Sequence, residues 1–219
     1  MMAAGKRRII YLYDALCGWC YGFSPVVKRL EEAHGAQIPF EVISGGMVRG
    51  SQVQPIAEKA RYILGAFGRV EALSGVKFGE AFFRDLLEVG TYVSDSLPPA
   101  AALAALRALQ PGKSVAFAHD IQRAFYYEGK DLGEAATYIN IAERHGIPAE
   151  DFAARWQGEE SLRQAEEDFA TAAAWGVQGF PTLVYDDGAS LYLLAQGYRD
   201  FAPLDQMLAQ ILAGPVAGK

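Results

Sequence analysis

Apolar and polar positions change period twice along the chain, and the changes divide it into three parts. The run Ile9-Ile10-Tyr11-Leu12-Tyr13 is apolar over the length of a strand and stops at Asp14. From residue 17 to 34 the period is helical, with Phe23, Val26, Val27 and Leu30 on one face and Lys28, Arg29, Glu31 and Glu32 on the other. Gly35 terminates that helix and Pro25 is expected to kink it. Residues 40–43 read as a second strand, so the chain opens with a strand–helix–strand unit of parallel strands.

Between about residues 51 and 175 the spacing is helical throughout. Helices are expected from Pro55 to about Phe67, over 78–87, and through Leu103, Leu106 and Leu109 between Pro98-Pro99 and Pro111-Gly112. Others are expected over 114–128, 133–145 and 148–156. In a last one Ser161 and Gln164 form a capping box, Leu162, Ala165, Phe169 and Ala172 make the apolar stripe, and Gly176 is the stop. Residues 182–185 and 191–194 then predict an antiparallel hairpin about Asp187-Gly188, followed by a helix over 201–212 capped by Asp200. This order predicts an α/β fold whose sheet is built from both ends of the chain, 1–48 and 176–219, with 49–175 as a helical insertion between the second and third strands.

Composition narrows the function. With 219 residues, 51% of them hydrophobic, the chain can bury a core without disulfide staples. A net charge of -6, with Lys6-Arg7-Arg8 as its main basic run, argues against nucleic acid as a partner. No stretch approaches the ~20 apolar residues of a membrane span. Asp14 also breaks the apolar run after Arg7-Arg8 too early for a secretory signal, so a soluble cytoplasmic protein is expected.

The two cysteines lie at the junction of the first strand and first helix, as Cys17-Gly18-Trp19-Cys20. A thiol in the first turn of a helix faces unpaired backbone N–H groups and the positive end of the helix dipole, which favours its thiolate. A thiol three residues on is one turn away and can close a short disulfide. Half of a zinc site, or two inert core thiols, are the competing readings; His34, His119 and His145 lack the spacing to complete a metal site, and no metal is expected. Asp14 is a candidate either for proton transfer during exchange or for capping the helix or its connecting turn. Trp19 is expected on an exposed substrate-facing loop, its other role being a lid against the helical segment. Ser44-Gly45-Gly46-Met47 reads as a tight exit, a hinge or part of the groove wall. Downstream, Gly179-Phe180-Pro181-Thr182 places a proline where a strand begins. It is either a trans loop proline or a cis bond beside the dithiol that presents the preceding backbone to an extended substrate.

Cys17-Gly18-Trp19-Cys20 with Tyr21-Gly22-Phe23-Ser24-Pro25, the stretch from Ile121 to Leu132, and Gly179-Phe180-Pro181-Thr182, in that order, resemble the DsbA-like branch of the thioredoxin superfamily and its cytosolic FrnE-like members. The resemblance implies a thioredoxin-like fold interrupted by a helical domain, Cys17 as attacking thiol, Cys20 as resolving thiol, and Pro181 in cis. It implies thiol–disulfide reduction or isomerisation with no bound cofactor beyond the Cys17–Cys20 redox pair, protein or small-molecule thiols and disulfides as partners, and glutathione as a co-substrate. Substrate contacts are expected at Trp19, Gly179, Phe180 and Pro181. Gly18-Trp19 differs from the Pro-His pair of periplasmic relatives and carries no imidazolium, so a potential nearer ~-200 to -270 mV than ~-120 mV is expected. Two other readings stand beside this one. The first is a glutathione-dependent transferase or isomerase of the kappa-class and hydroxychromene-carboxylate isomerase type, whose members generally lack the second cysteine. The other is a non-enzymatic client- or metal-binding protein.

Overall fold

The computed structural model describes residues 7–213; Lys6 and the outer ends of the two sheet-forming segments, 1–6 and 214–219, lie outside the described residues. Strand β1 (Arg8–Tyr13) is buried from Ile9 onward and leads through a short turn into helix α1 (Gly18–His34) and strand β2 (Phe40–Ser44). Pro25 lies inside α1, which continues past it to the end of the apolar stripe.

The middle of the chain holds a short strand β3 (Gln54–Pro55), helix α2 (Ala60–Ser74), a π-helical turn Phe82–Glu88, and strand β4 (Val93–Ser94), which pairs antiparallel with β3. Five helices follow: α3 (Leu97–Leu109), α4 (Ser114–Tyr126), α5 (Ala135–Arg144), α6 (Ala149–Trp156) and α7 (Glu159–Ala174). Strands β5 (Thr182–Asp186) and β6 (Leu191–Gln196) and helix α8 (Phe201–Ala213) complete the described chain.

The main sheet has the order β2-β1-β5-β6; β1 runs parallel to β2 and antiparallel to β5, with Leu12 opposite both Ile43 and Thr182. Alternation along β1 feeds two cores. Ile9, Tyr11 and Tyr13 join the large cluster with Phe23, Leu30 and Leu208, whereas Ile10 and Leu12 pack with Ala172 and Val184. Both faces of β1 are thus covered, as its unbroken apolar run requires. The helical segment lies between the second and third strands of this sheet.

Three local expectations are corrected. Helix α7 begins at Glu159 after Gly158, so Ser161 sits inside the helix instead of capping it, and its hydroxyl donates to Arg155 O at 2.8 Å. Glu159 and Glu160 occupy the first turn, where the helix dipole favours acids. In place of a regular helix over 78–87 the chain makes a π-helical turn over Phe82–Glu88: the buried Phe82, Leu86 and Leu87 are spaced four and five apart, which the wider turn places toward one core. Helix α2 runs on to Ser74, past Phe67, and stops at Gly75 with φ +75°.

Candidate active site

The first strand delivers the dithiol to the edge of the core. Asp14 follows Tyr13, and its carboxylate knots the connecting turn: Oδ1 accepts from Leu16 N at 2.9 Å and from the Ser96 hydroxyl at 3.1 Å, while Oδ2 accepts from Met47 N at 2.8 Å. It therefore caps the turn, while the helix itself is capped by Cys17, whose Sγ accepts from the Cys20 N–H at 3.2 Å. Burial raises the proton affinity of Asp14 above that of an ordinary carboxylate, against the pull of these hydrogen bonds.

The two sulfurs have different surroundings. Cys17 has its Sγ in contact with the backbone carbonyl of Phe180 at 3.5 Å as well as with the Cys20 amide. Cys20 is wholly buried, and burial, the hydrogen bond to Cys17 and the charge of Cys17 push its thiol far up; the Asp14 charge acts in the same direction. Both are free thiols. Among the described residues no group of three or more His, Cys, Asp or Glu side chains could hold a metal ion.

Phe180 is the member of the downstream stretch that meets the dithiol. The Phe180–Pro181 bond is cis. The Gly179 carbonyl is taken by the Thr182 hydroxyl at 2.8 Å and the Pro181 carbonyl by Gly197 N at 2.8 Å, so these two hold the turn into β5. Trp19 departs from expectation: it is half-buried in the first turn of α1, not exposed on a loop. It lines two clefts, one bounded by Ile63, Ala66 and Phe67 of α2, the other of about 580 Å³ bounded by Phe180, Tyr198 and Leu73.

Sequence reasoning missed two supports. Gln122 of α4 is fully buried and its Nε2 donates to Asp14 O at 3.1 Å and Cys17 O at 3.4 Å, tying the helical segment to the redox turn. Its only signal was its place in the 121–132 stretch. Gly45 lies against the Phe180 ring, where any Cβ would collide with it, and Gly45 N donates to Tyr13 O at 2.7 Å. The glycine pair was the signal, but not its partner.

A mixed sheet with a helical insertion, and a Cys-x-x-Cys pair at a helix start opposite a cis-proline turn, define a thioredoxin-type thiol–disulfide protein. The DSBA-like thioredoxin domain family model matches residues 8–209, and the chain belongs to that family. It is similar to the cytosolic disulfide reductase DsbM from Pseudomonas aeruginosa, with 31% identity over 94% of this chain and 98% of that one and a TM-score of 0.81. A structure of DsbM with glutathione matches at a TM-score of 0.79, 31% identity, and 94% and 99% of the two chains. The ClpXP adapter protein SpxH from Bacillus subtilis is 23% identical over 180 residues, 80% of this chain but 57% of that protein's length. A 2-hydroxychromene-2-carboxylate isomerase shares the fold, at 14% identity over 92% of this chain and 91% of that one and a TM-score of 0.62. No helix among the described residues is long and apolar enough to cross a membrane.

Proposed function

We propose that the protein is a disulfide reductase or isomerase acting through a mixed disulfide at Cys17 that Cys20 resolves. The observation that carries this reading is the placement of the pair: Cys17, 5% exposed, caps α1, receives the Cys20 N–H at 3.2 Å and meets Phe180 O at the cis-proline turn at 3.5 Å, while Cys20 has no exposed surface. Burial keeps the proton on the second sulfur until it is needed.

In the reaction the Cys17 thiolate attacks one sulfur of a substrate disulfide, forming a mixed disulfide and expelling the other half as a thiolate. Cys20 then gives up its proton and attacks Cys17 Sγ, releasing the second thiolate and leaving a Cys17–Cys20 disulfide. Two electrons pass to the substrate, and two equivalents of a thiol of the glutathione class return the pair to the dithiol and leave as their own disulfide. Asp14 anchors the turn in this reading and, with its raised proton affinity, accepts the Cys20 proton. Phe180 O, beside Cys17, and Trp19, lining both clefts, contact substrate, with Gly179 and Pro181 shaping the turn. A cytoplasmic setting suits this direction of flux and matches the cytosolic DsbM relative.

The test is trapping. Cys20→Ala is expected to accumulate a mixed disulfide on Cys17 that a thiol reductant releases, and Cys17→Ser to lose insulin reduction altogether; turnover that survives Cys17→Ser rejects the reading. Glutathione turnover that survives Cys20→Ser would favour the transferase or isomerase instead. Equilibration with a glutathione series is expected to give a potential near ~-200 to -270 mV, and a value above about -140 mV would contradict the expectation from Gly18-Trp19.

A further inference from the structure

A cleft of about 620 Å³ opens beside the redox turn, and the mechanism above uses none of its far wall. Leu16, Gly18 and Trp19 form its near side, within the turn that carries Cys17. Its floor is aromatic: Phe78 packs on Tyr126 with ring centroids 5.2 Å apart, and Phe82 on Phe125 at 5.4 Å. Ile63, Ala66 and Phe67 of α2 close the far side. Such a wall recognises apolar rings, which gain both area burial and edge-to-face contacts.

The mouth adds a sign. The chain as a whole is acidic, with a net charge of -6, yet Lys59 lines this cleft, and Arg61 and Arg69 line the adjoining one across Trp19 and Tyr62, against the single acid Glu58. None of these three cations is in an ion pair among the described residues. A local excess of positive charge on an acidic protein draws in an anion. The size of the cleft is that of a small-molecule site.

Resting on the thiol–disulfide reading above, we propose that the cleft between the redox turn and α2 selects small disulfides that carry an aromatic body and an acidic group. Cys17 attacks the disulfide while the ring lies on the Phe78–Tyr126 floor and the anion faces Lys59. Each turnover cleaves one substrate S–S bond and forms the Cys17–Cys20 bond, releasing two aryl thiolates for two electrons taken from the dithiol.

The test compares rates of the reduced protein with dithiobis-nitrobenzoate, the neutral aryl dithiodipyridine, glutathione disulfide, and hydroxyethyl disulfide, each divided by the rate with free cysteine. The protein is expected to favour the aryl carboxylate over hydroxyethyl disulfide by roughly tenfold or more. Ala66→Trp, which fills the cleft, is expected to collapse that ratio. Lys59→Glu, at the rim, is expected to lower the carboxylate rate about threefold or more relative to dithiodipyridine. Equal normalised rates for all four disulfides, ratios unmoved by both variants, or an equal preference for glutathione disulfide would overturn the proposal. Binding of anilinonaphthalene sulfonate to Cys17→Ser, followed through the emission of the probe itself, separates the two readings. Probe binding without any disulfide turnover in the native protein defeats the redox reading and leaves the cleft as an aryl-anion site. Disulfide turnover without probe binding defeats the cleft and leaves the redox reading.

Discussion

Asp14 stands in the turn that carries Cys17 and holds it by three hydrogen bonds, to Leu16 N, Met47 N and the Ser96 hydroxyl. Its folded-state pKa lies above the ordinary ~3.9 because burial outweighs these donors. The sign follows from linkage: in the window between the ordinary and the raised value the native state binds more protons than the unfolded one, so Asp14 makes stability fall as pH rises through that window. Asp14→Asn is expected to remove this slope, leaving a smaller decline in urea-unfolding free energy from pH 4 to pH 7 than in the native protein; identical slopes would refute it. It is also expected to cost about 1–3 kcal/mol at neutral pH, because an amide nitrogen replaces one acceptor in a buried set of donors. Disulfide exchange is expected to slow in the same variant, because the proposed reading has Asp14 accept the Cys20 proton. The dithiol and Asp14 were legible in the sequence because their chemistry is local: a thiol pair at one-turn spacing and a carboxylate two residues from the amide it caps. Gln122 and Gly45 were not, since Gln122 acts on residues 105 and 108 positions away and Gly45 on a ring far downstream in β5's entry turn. Nothing in a single sequence pairs them.

Strand β2 is an edge of the main sheet, and its outward backbone groups are met by side chains from the helical segment. Phe40 O accepts from the Ser114 hydroxyl at 3.4 Å, Val42 O from Arg107, and Ser44 N donates to Asp168 Oδ2 at 3.1 Å. Arg107 and Asp168 pair with each other at 2.9 Å, the aspartate almost fully buried. This closes an edge that would otherwise template pairing with another chain. Asp168→Ala leaves the Arg107 charge without its partner and Ser44 N without an acceptor, and is expected to cost about 3–5 kcal/mol in chemical denaturation. The double variant with Arg107→Ala is expected to lose less than the two single losses combined; strict additivity would show that the pair does not act as a unit. Element types were readable where the period was long and consistent, as in α1, α4 and the β5–β6 hairpin. Failures came where tertiary contact decided the outcome. The β3–β4 pair is two residues per strand, too short to leave a period, and Ser161 has the residue type and spacing of a cap while its hydroxyl goes to Arg155 O in the last turn of α6.

At the scale of the molecule, the helical segment has a firm side and a thin one. Helix α4 packs on α1 and β2 and has Phe117, Ile121, Gln122 and Phe125 buried, so the clamp on the redox turn sits in a rigid part of the structure. Helix α2, which roofs the cleft beside Trp19, has only Val70 buried, and that side chain lies so close to α1 that a Cβ at Gly22 would come within 2.7 Å of it. Tyr62 is 73% exposed, and Gly65 and Gly68 lower the intrinsic helix propensity. An element with so little burial opens locally at a cost well below global unfolding, whereas α4 cannot open without breaking the core. Hydrogen–deuterium exchange is therefore expected to show the amides of α2 exchanging through a low-energy opening while those of α4, α1 and β1 wait for global unfolding. Comparable protection in α2 and α4 would contradict this, because it would require contacts on α2 that its exposed residues do not make. The contrast has a consequence for the site: the wall that positions Cys17 stays fixed while the wall that meets a substrate can move, so a ligand in the cleft is expected to raise protection in α2 and leave α4 unchanged.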